Sequence, residues 1–374
     1  MKIASITLRH IRMPLKTPVT TSFGTIIDKD SIIVEVQDTD GVIGWGESPV
    51  FAIPWYSEET IGTVWHVMTD FLIPRLAEQE FDHPNQVAEI LAPIQRNNMA
   101  KAGVESALWD LYAQRNGVPL AQVMGGTRKK VAVGVVIGVQ PSVSDTLRFI
   151  EQYLVAGYQR IKLKIKPGQD IELIKAIRRP FPNLALAVDA NGAYQISDVA
   201  LFQELDQFDL TMIEQPFQAG DLINHAKLQA ILKTPLCLDE NITTLEDIKN
   251  AAALNSCQVI NIKMSRLGGI TLAQQAHDFC LQRNIPVWCG GMFESGIGRA
   301  HNIALATLEN FSLPGDISGS ARYWEQDIIE PEVIVKGGEI LVSDKPGIGY
   351  HVNREQLAKV TLRKKTEKLS LANG

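Results

Sequence analysis

The chain has 374 residues. At about 150 residues per domain this predicts two or three domains, enough to bury a core without disulfide or metal staples. Apolar residues make up 45% and charged residues 21%, the composition of an ordinary globular protein. The net charge of −6 excludes a general nucleic-acid binder, because phosphate affinity needs an excess of Lys and Arg. In chain order, strand character comes first, at 3–13, 31–36 and 42–47. The Thr-, Ser-, Pro- and Gly-rich run 17–25 between the first two reads as irregular. Helical periodicity begins at Ser57, an N-cap candidate followed by Glu58 and Glu59, and returns over 84–94 and 100–115. Residues 1–125 therefore read as an α+β capping domain.

After Gly125-Gly126 the pattern becomes alternating short apolar runs and amphipathic stretches, the signature of βα units around a parallel sheet. Eight strand candidates stand at 131–139, 160–165, 184–190, 210–214, 235–239, 258–263, 286–289 and 313–316. Their even spacing favours a (β/α)8-type barrel over residues 126–344, with an open doubly wound sheet as the rival. Residues 345–374 lose the repeat and are expected to pack back on the capping domain. The basic runs Arg128-Lys129-Lys130 and Arg363-Lys364-Lys365 read as solvated ends of elements. Cysteines stand singly at 237, 257, 280 and 289, predicting buried free thiols in a reducing compartment. No apolar run reaches the roughly 18 residues of a membrane span, and the polar-interrupted start lacks a signal peptide's apolar stretch. The expectation is a cytoplasmic protein with no membrane and no nucleic-acid partner.

Chemistry concentrates at the strand ends. Lys164, Asp189, Glu214 and Asp239 recur at intervals of 25 residues, and Lys263 follows 24 later. In a barrel this places one ionisable residue at the same level of five successive strands, at the C-terminal rim where barrel active sites form. Three half-buried carboxylates repel one another and need a counter-charge. Oxygen donors suit a hard divalent cation, so Asp189, Glu214 and Asp239 are candidate ligands for Mg2+, with Mn2+ as a substitute. Lys162 shares a face with Lys164, as Asn191 does with Asp189, while Glu240 faces away from Asp239 and reads as a support. Lysines beside a divalent cation suit removal of a proton next to a carboxylate, the cation stabilising the enediolate. The divalent cation, a neighbouring lysine and apolar walls are expected to push the pKa of such a lysine down, with Arg266 a further cation that either helps keep Lys263 unprotonated or serves at the surface. Lys164 and Lys263, on strands either side of the acids, would address two faces of one carbon.

These residues resemble the enolase superfamily and its muconate-lactonizing subgroup. Four further stretches, 57–60 (SEET), 97–101 (NNMAK), 160–168 (RIKLKIKPG) and 288–292 (WCGGM) with 298–302 (GRAHN), are similar to the branch holding o-succinylbenzoate synthases and N-succinylamino acid racemases. The resemblance implies Asp189, Glu214 and Asp239 as Mg2+ ligands and Lys164 and Lys263 as an acid/base pair, supported by Lys162, Asn191, Arg266 and Glu240. It implies capping-domain lids around Ser22 and Phe23 and around Phe51 to Trp55, with Met292 and Phe293 lining the pocket. It implies a small carboxylate substrate, a carbon–oxygen lyase activity by syn dehydration of 2-succinyl-6-hydroxy-2,4-cyclohexadiene-1-carboxylate toward menaquinone, or racemisation at the same site, and a homo-oligomer. Muconate cycloisomerase and a non-catalytic binding barrel stay open as rivals. A dipeptide epimerase is disfavoured by a single Asp316 where that group places Asp-x-Asp, and a mandelate-racemase-like His base by Trp288-Cys289-Gly290. A metal hydrolase would offer paired His ligands, and His301 reads as structural. The glycines at 290, 291, 296 and 298 fit no phosphate loop and read as a wall requiring close backbone approach.

Overall fold

The computed structural model describes residues 1–20, 24–77 and 79–369. Two long strands open the chain, β1 (Ile3–Thr20) and β2 (Thr25–Asp38), followed by β3 (Ile43–Ser48). Of the stretch 17–25, expected to be irregular, Val19 and Thr20 pair with Ile26 and Thr25 after a break in register between Pro14 and Val19; 21–23 lie outside the described residues. Strand Thr361–Lys368 adds to the other edge of β1, giving a four-stranded antiparallel sheet. Period-two alternation puts Ile6, Leu8, Ile32 and Val34 in one buried cluster with Val104 and Leu108 of the helix Asn98–Asn116. That helix lies so close to β3 that a Cβ at Gly46 would stand 2.2 Å from the Gly103 carbonyl, so only glycine fits. The first helix, Ile61–Val67, is capped by Thr60 rather than Ser57: Thr60 and Thr63 satisfy each other's backbone N–H groups.

The second sheet is the barrel. β5 (Val135–Ile137), β6 (Arg160–Lys164), β7 (Ala185–Asp189), β8 (Met212–Glu214), β9 (Leu236–Leu238), β10 (Val259–Ile262) and β11 (Val287–Cys289) run parallel in sequence order. Two expectations need correction. The run 131–139 is split: β4 (Lys130–Ala132) pairs antiparallel with Glu339–Leu341, and only β5 joins the barrel. Residues 313–316 form no regular strand; Pro314 has no N–H to give, and the segment closes the ring by a bridge from Gly315 to Val133 and an Asp316 N–H to the Cys289 carbonyl at 2.9 Å. The Arg128 guanidinium is not a solvated end either. It donates to the carbonyls of Ala306, Leu308, Glu309 and Phe311 just beyond the helix Gly296–Leu305.

Alternation also sorts the barrel interior. Ala187, Met212, Cys237, Val259 and Trp288 form one buried apolar layer, and the residues two further along, Asp189, Glu214, Asp239, Asn261 and Gly290, form the layer above it. Outward residues such as Ile161, Leu163, Val188 and Ile213 pack on the surrounding helices. Carboxylates stitch the two halves together at helix N-termini, where backbone N–H groups lack partners. Glu47 of β3 accepts from the Ser295 and Gly298 amides and the Ser295 hydroxyl, at 3.1, 2.9 and 2.6 Å. Glu105 accepts from the amides of Ile270 and Thr271, at 2.7 and 2.9 Å, where the helix Ile270–Gln282 begins. All four cysteines are buried free thiols, and no described helix is long and apolar enough to cross a membrane.

Candidate active site

The strand register brings the 25-residue spacing into space. Lys164 pairs with Asp189, Asp189 with Glu214, and Glu214 with Cys237, two residues before Asp239. Lys263 follows β10 directly. Asp189, Glu214 and Asp239 are at most 1% exposed. Each faces a base. Lys164 Nζ donates to Asp189 at 2.7 Å and to Asn191 Oδ1 at 2.6 Å. Lys162 Nζ lies 2.6 Å from Glu214, 2.6 Å from Asp316 and 3.3 Å from Asp189, 4.6 Å above the Trp288 ring. Lys263 Nζ donates to Asp239 at 2.9 Å, and Arg266 pairs with the other oxygen of Asp239. Among the described residues no three acid, imidazole or thiol groups converge on one point; the ammonium groups stand between the acids.

A cavity of about 600 Å³ opens above these groups. Lys162, Lys164, Asp189, Asn191, Asp239 and Lys263 line it from the barrel, with Met292 and Phe293, and Phe51 and Trp55 line it from the capping domain. Ser22 and Phe23 lie outside the described residues. Glu214 sits below the cavity floor, fully buried. Glu240 and Arg266 line a neighbouring cavity instead. Glu240 supports the site by accepting from Asn191 Nδ2 at 2.9 Å. Arg266 is 5% exposed. The glycine wall has a steric reason, since a Cβ at Gly290 would stand 2.6 Å from Lys263 Cε. His301 is structural, held between the carbonyls of Ile297 and Ser106.

Two residues were missed by sequence reasoning. Tyr56, in the capping domain, accepts from Lys263 Nζ at 2.8 Å and Arg266 at 2.6 Å, and donates to Asp239 at 3.1 Å. No sequence signal marks it, because its partners lie about two hundred residues away. Asp316, noted only as a lone Asp, pairs with Lys162 and with Arg160 at 2.9 Å. Its signal was positional: it ends the eighth repeat as the acids end theirs.

Electrostatics follow from this packing. Burial raises the Glu214 carboxyl to about 8, and Asp189 and Asp239 add to the rise, so the acids do repel one another. Burial opposes ionisation of Asp239 as well, but Arg266 and Lys263 hold it well below the usual carboxylate range. Burial and the nearby Asp239 and Asp189 lift Glu240 to about 7. Burial alone would lower the Lys263 pKa, but Asp239 and Tyr56 raise it further, so the net shift is upward. Lys162 is likewise raised, by Asp316, Glu214 and Asp189 against burial.

Residues 3–125 match the family described as mandelate racemase / muconate lactonizing enzyme, N-terminal domain, and residues 145–356 match the enolase C-terminal domain-like family. The chain belongs to the enolase superfamily. It is 55% identical to an o-succinylbenzoate synthase of Geobacillus kaustophilus, over 96% of each chain. It is 44% identical to an N-succinylamino acid racemase of Thermus thermophilus, over 97% of this chain and 98% of that one. The crystal structure of an enolase-superfamily member from Listeria innocua superposes with a TM-score of 0.97 at 42% identity, covering 99% of this chain and 100% of that one. Enolase-superfamily enzymes generally depend on Mg2+. The residues here fit such an ion, because the acids are an all-oxygen donor set on adjacent strands whose mutual repulsion already shows at Glu214.

Proposed function

We propose that this protein is an o-succinylbenzoate synthase, dehydrating 2-succinyl-6-hydroxy-2,4-cyclohexadiene-1-carboxylate in a step toward menaquinone. The observation that carries the reading is the pair Lys164 and Lys263, set on strands either side of three acid-bearing strands and lining one cavity. Asp189, Glu214 and Asp239 would hold Mg2+, with Mn2+ as a substitute. Such a cation supplies positive charge at the substrate carboxylate and, by taking up the acids, frees lysine amines to carry protons. Lys164 Nζ removes the proton next to that carboxylate, leaving an enediolate. Lys164 then returns the proton to the departing hydroxyl, which leaves as water from the same face while the ring becomes aromatic. Lys263 balances the negative charge from the other side. Lys162 and Asn191 hold the acids and Lys164 in place, Glu240 fixes Asn191, and Arg266 fixes Asp239. Phe51, Trp55, Met292 and Phe293 wall the substrate from water.

Racemisation of N-succinylamino acids is the second reading. It is favoured by the presence of both lysines, since one can abstract the proton while the other donates on the opposite face. The test is to assay the purified protein on both substrates with Mg2+ or Mn2+, against a metal-stripped control. A larger kcat/KM for dehydration supports the synthase; dehydration at the level of the control overturns it. A cytoplasmic, homo-oligomeric enzyme belongs to the same proposal, with ultracentrifugation to read the assembly.

A further inference from the structure

Each lysine that stands among the three acids has a second partner outside them. Lys164 Nζ also meets Asn191 Oδ1 at 2.6 Å, and Lys263 Nζ meets the Tyr56 hydroxyl at 2.8 Å. Lys162 Nζ is divided between Glu214 and Asp316, at 2.6 Å from each, with Asp189 at 3.3 Å. Its second partner is thus a full charge. Lys162 is also the most deeply placed of the three, its side chain 4% exposed against 16% for Lys164 and 9% for Lys263. A buried cation that loses its counter-charge is strongly destabilised. Asp316 is itself fixed from the other side. Its second oxygen pairs with Arg160 at 2.9 Å, its N–H donates to the Cys289 carbonyl at 2.9 Å, and Arg160 donates on to the Pro314 carbonyl. Gly134 makes room for this arginine, since a Cβ there would stand 2.4 Å from Arg160 Cζ. Both cations rest on the Trp288 ring, Arg160 at 5.5 Å and Lys162 at 4.6 Å.

We infer that Asp316 is a positioning residue for cation binding: it keeps hold of Lys162 when a divalent cation takes Glu214 and Asp189, so that the ammonium yields these acids instead of competing for them. The inference rests on the reading of Asp189, Glu214 and Asp239 as the Mg2+ site, and adds to it a residue on none of the three acid-bearing strands. Carboxylates that repel one another attract any positive charge, so Lys162 and a divalent cation are rivals for Glu214. The outcome depends on what else the ammonium can hold. Lys162 turns to Asp316 without ordering a new partner, because Arg160 and the Cys289 carbonyl already fix that carboxylate. With a neutral amide at 316, Lys162 keeps charged partners only in Glu214 and Asp189, and the cation must displace it against their full attraction.

The test is the affinity for Mn2+, read by electron paramagnetic resonance of the free ion, with a thermal melt of each variant to confirm the fold. Asp316→Asn is expected to bind Mn2+ about 10- to 100-fold more weakly than the wild type, the range of one charged hydrogen bond. Asp316→Glu, which keeps the charge, is expected to recover most of the loss. In a Lys162→Met background, Asp316→Asn is expected to cost about threefold or less, because the rival cation is gone. Equal affinity in the wild type and Asp316→Asn overturns the inference. So does an equal loss in both backgrounds, which would mean that Asp316 acts on the cation by its own field and not through Lys162. A crystal structure of the wild-type protein with Mn2+ reads the same point without any variant. Lys162 Nζ is expected to stay within about 3.2 Å of Asp316, and its departure from Asp316 overturns the inference. No Mn2+ binding by the wild type would refute the metal reading itself, whereas binding indifferent to the residue at 316 refutes the role of Asp316 alone.

Discussion

Gly290→Ala is the sharpest test of how the barrel positions Lys263. The new methyl would stand 2.2 Å from Asn261 Oδ1 and 2.6 Å from Lys263 Cε. Restoring an ordinary contact near 3.4 Å moves Lys263 Cε by about 0.8 Å, and a misplacement of about 1 Å at a reacting group costs roughly 100-fold in rate. Asn261 is fully buried and donates to Glu214 at 2.9 Å, so it has little room to yield instead. Overpacking by one methyl costs about 1–3 kcal/mol of stability, which leaves the protein folded. The assay is dehydration kcat/KM at saturating Mg2+, with a thermal melt to confirm the fold. A folded variant with wild-type kcat/KM would refute the reasoning, because the glycine would then be doing nothing for Lys263.

Lys164→Ala should lower dehydration kcat by about 100- to 10,000-fold, the range of a lost general base, while Mn2+ binding followed by electron paramagnetic resonance persists; unchanged kcat would contradict the assigned role. Glu47→Gln turns an acceptor of Ser295 and Gly298 N–H groups into a partial donor, and should cost about 1–3 kcal/mol in denaturant unfolding; an unchanged midpoint would count against this stitch between the halves. Burial lowers the Lys29 pKa from 10.5 to about 8 in the folded chain, where its ammonium donates to the Asp30, Pro49 and Val50 carbonyls. The folded state therefore binds fewer protons between these values, so stability rises with pH across the window, by up to about 3 kcal/mol. Comparing unfolding of the wild type and Lys29→Met from pH 7.5 to 10.5 isolates this gain; parallel curves would exclude it.

Much of the barrel chemistry was legible because two periods coincide. The βα repeat sets the 25-residue spacing, and strand alternation sets the layers, so Asp189, Glu214 and Asp239 could be placed on one rim from order alone. Closure of the ring was less legible, because Pro314 and Gly315 deny the last segment a regular ladder that its apolar start suggested. What stayed hidden depends on distant contacts. Tyr56 meets Lys263 across 207 positions, and Glu47 meets Ser295 across 248. Such pairs leave no local periodicity. The upward push on Lys263 is hidden for the same reason: it comes from Asp239 and Tyr56 pressed against the ammonium, which chain order does not reveal.

Isotope exchange addresses most directly whether two amines reach opposite sides of one bound carbon. Lys164→Ala and Lys263→Ala, each incubated in D2O with Mg2+ and either enantiomer of an N-succinylamino acid, should each wash deuterium into one enantiomer only. The enantiomer should be opposite for the two variants. Exchange of both enantiomers by either variant, or of the same one by both, would contradict the account.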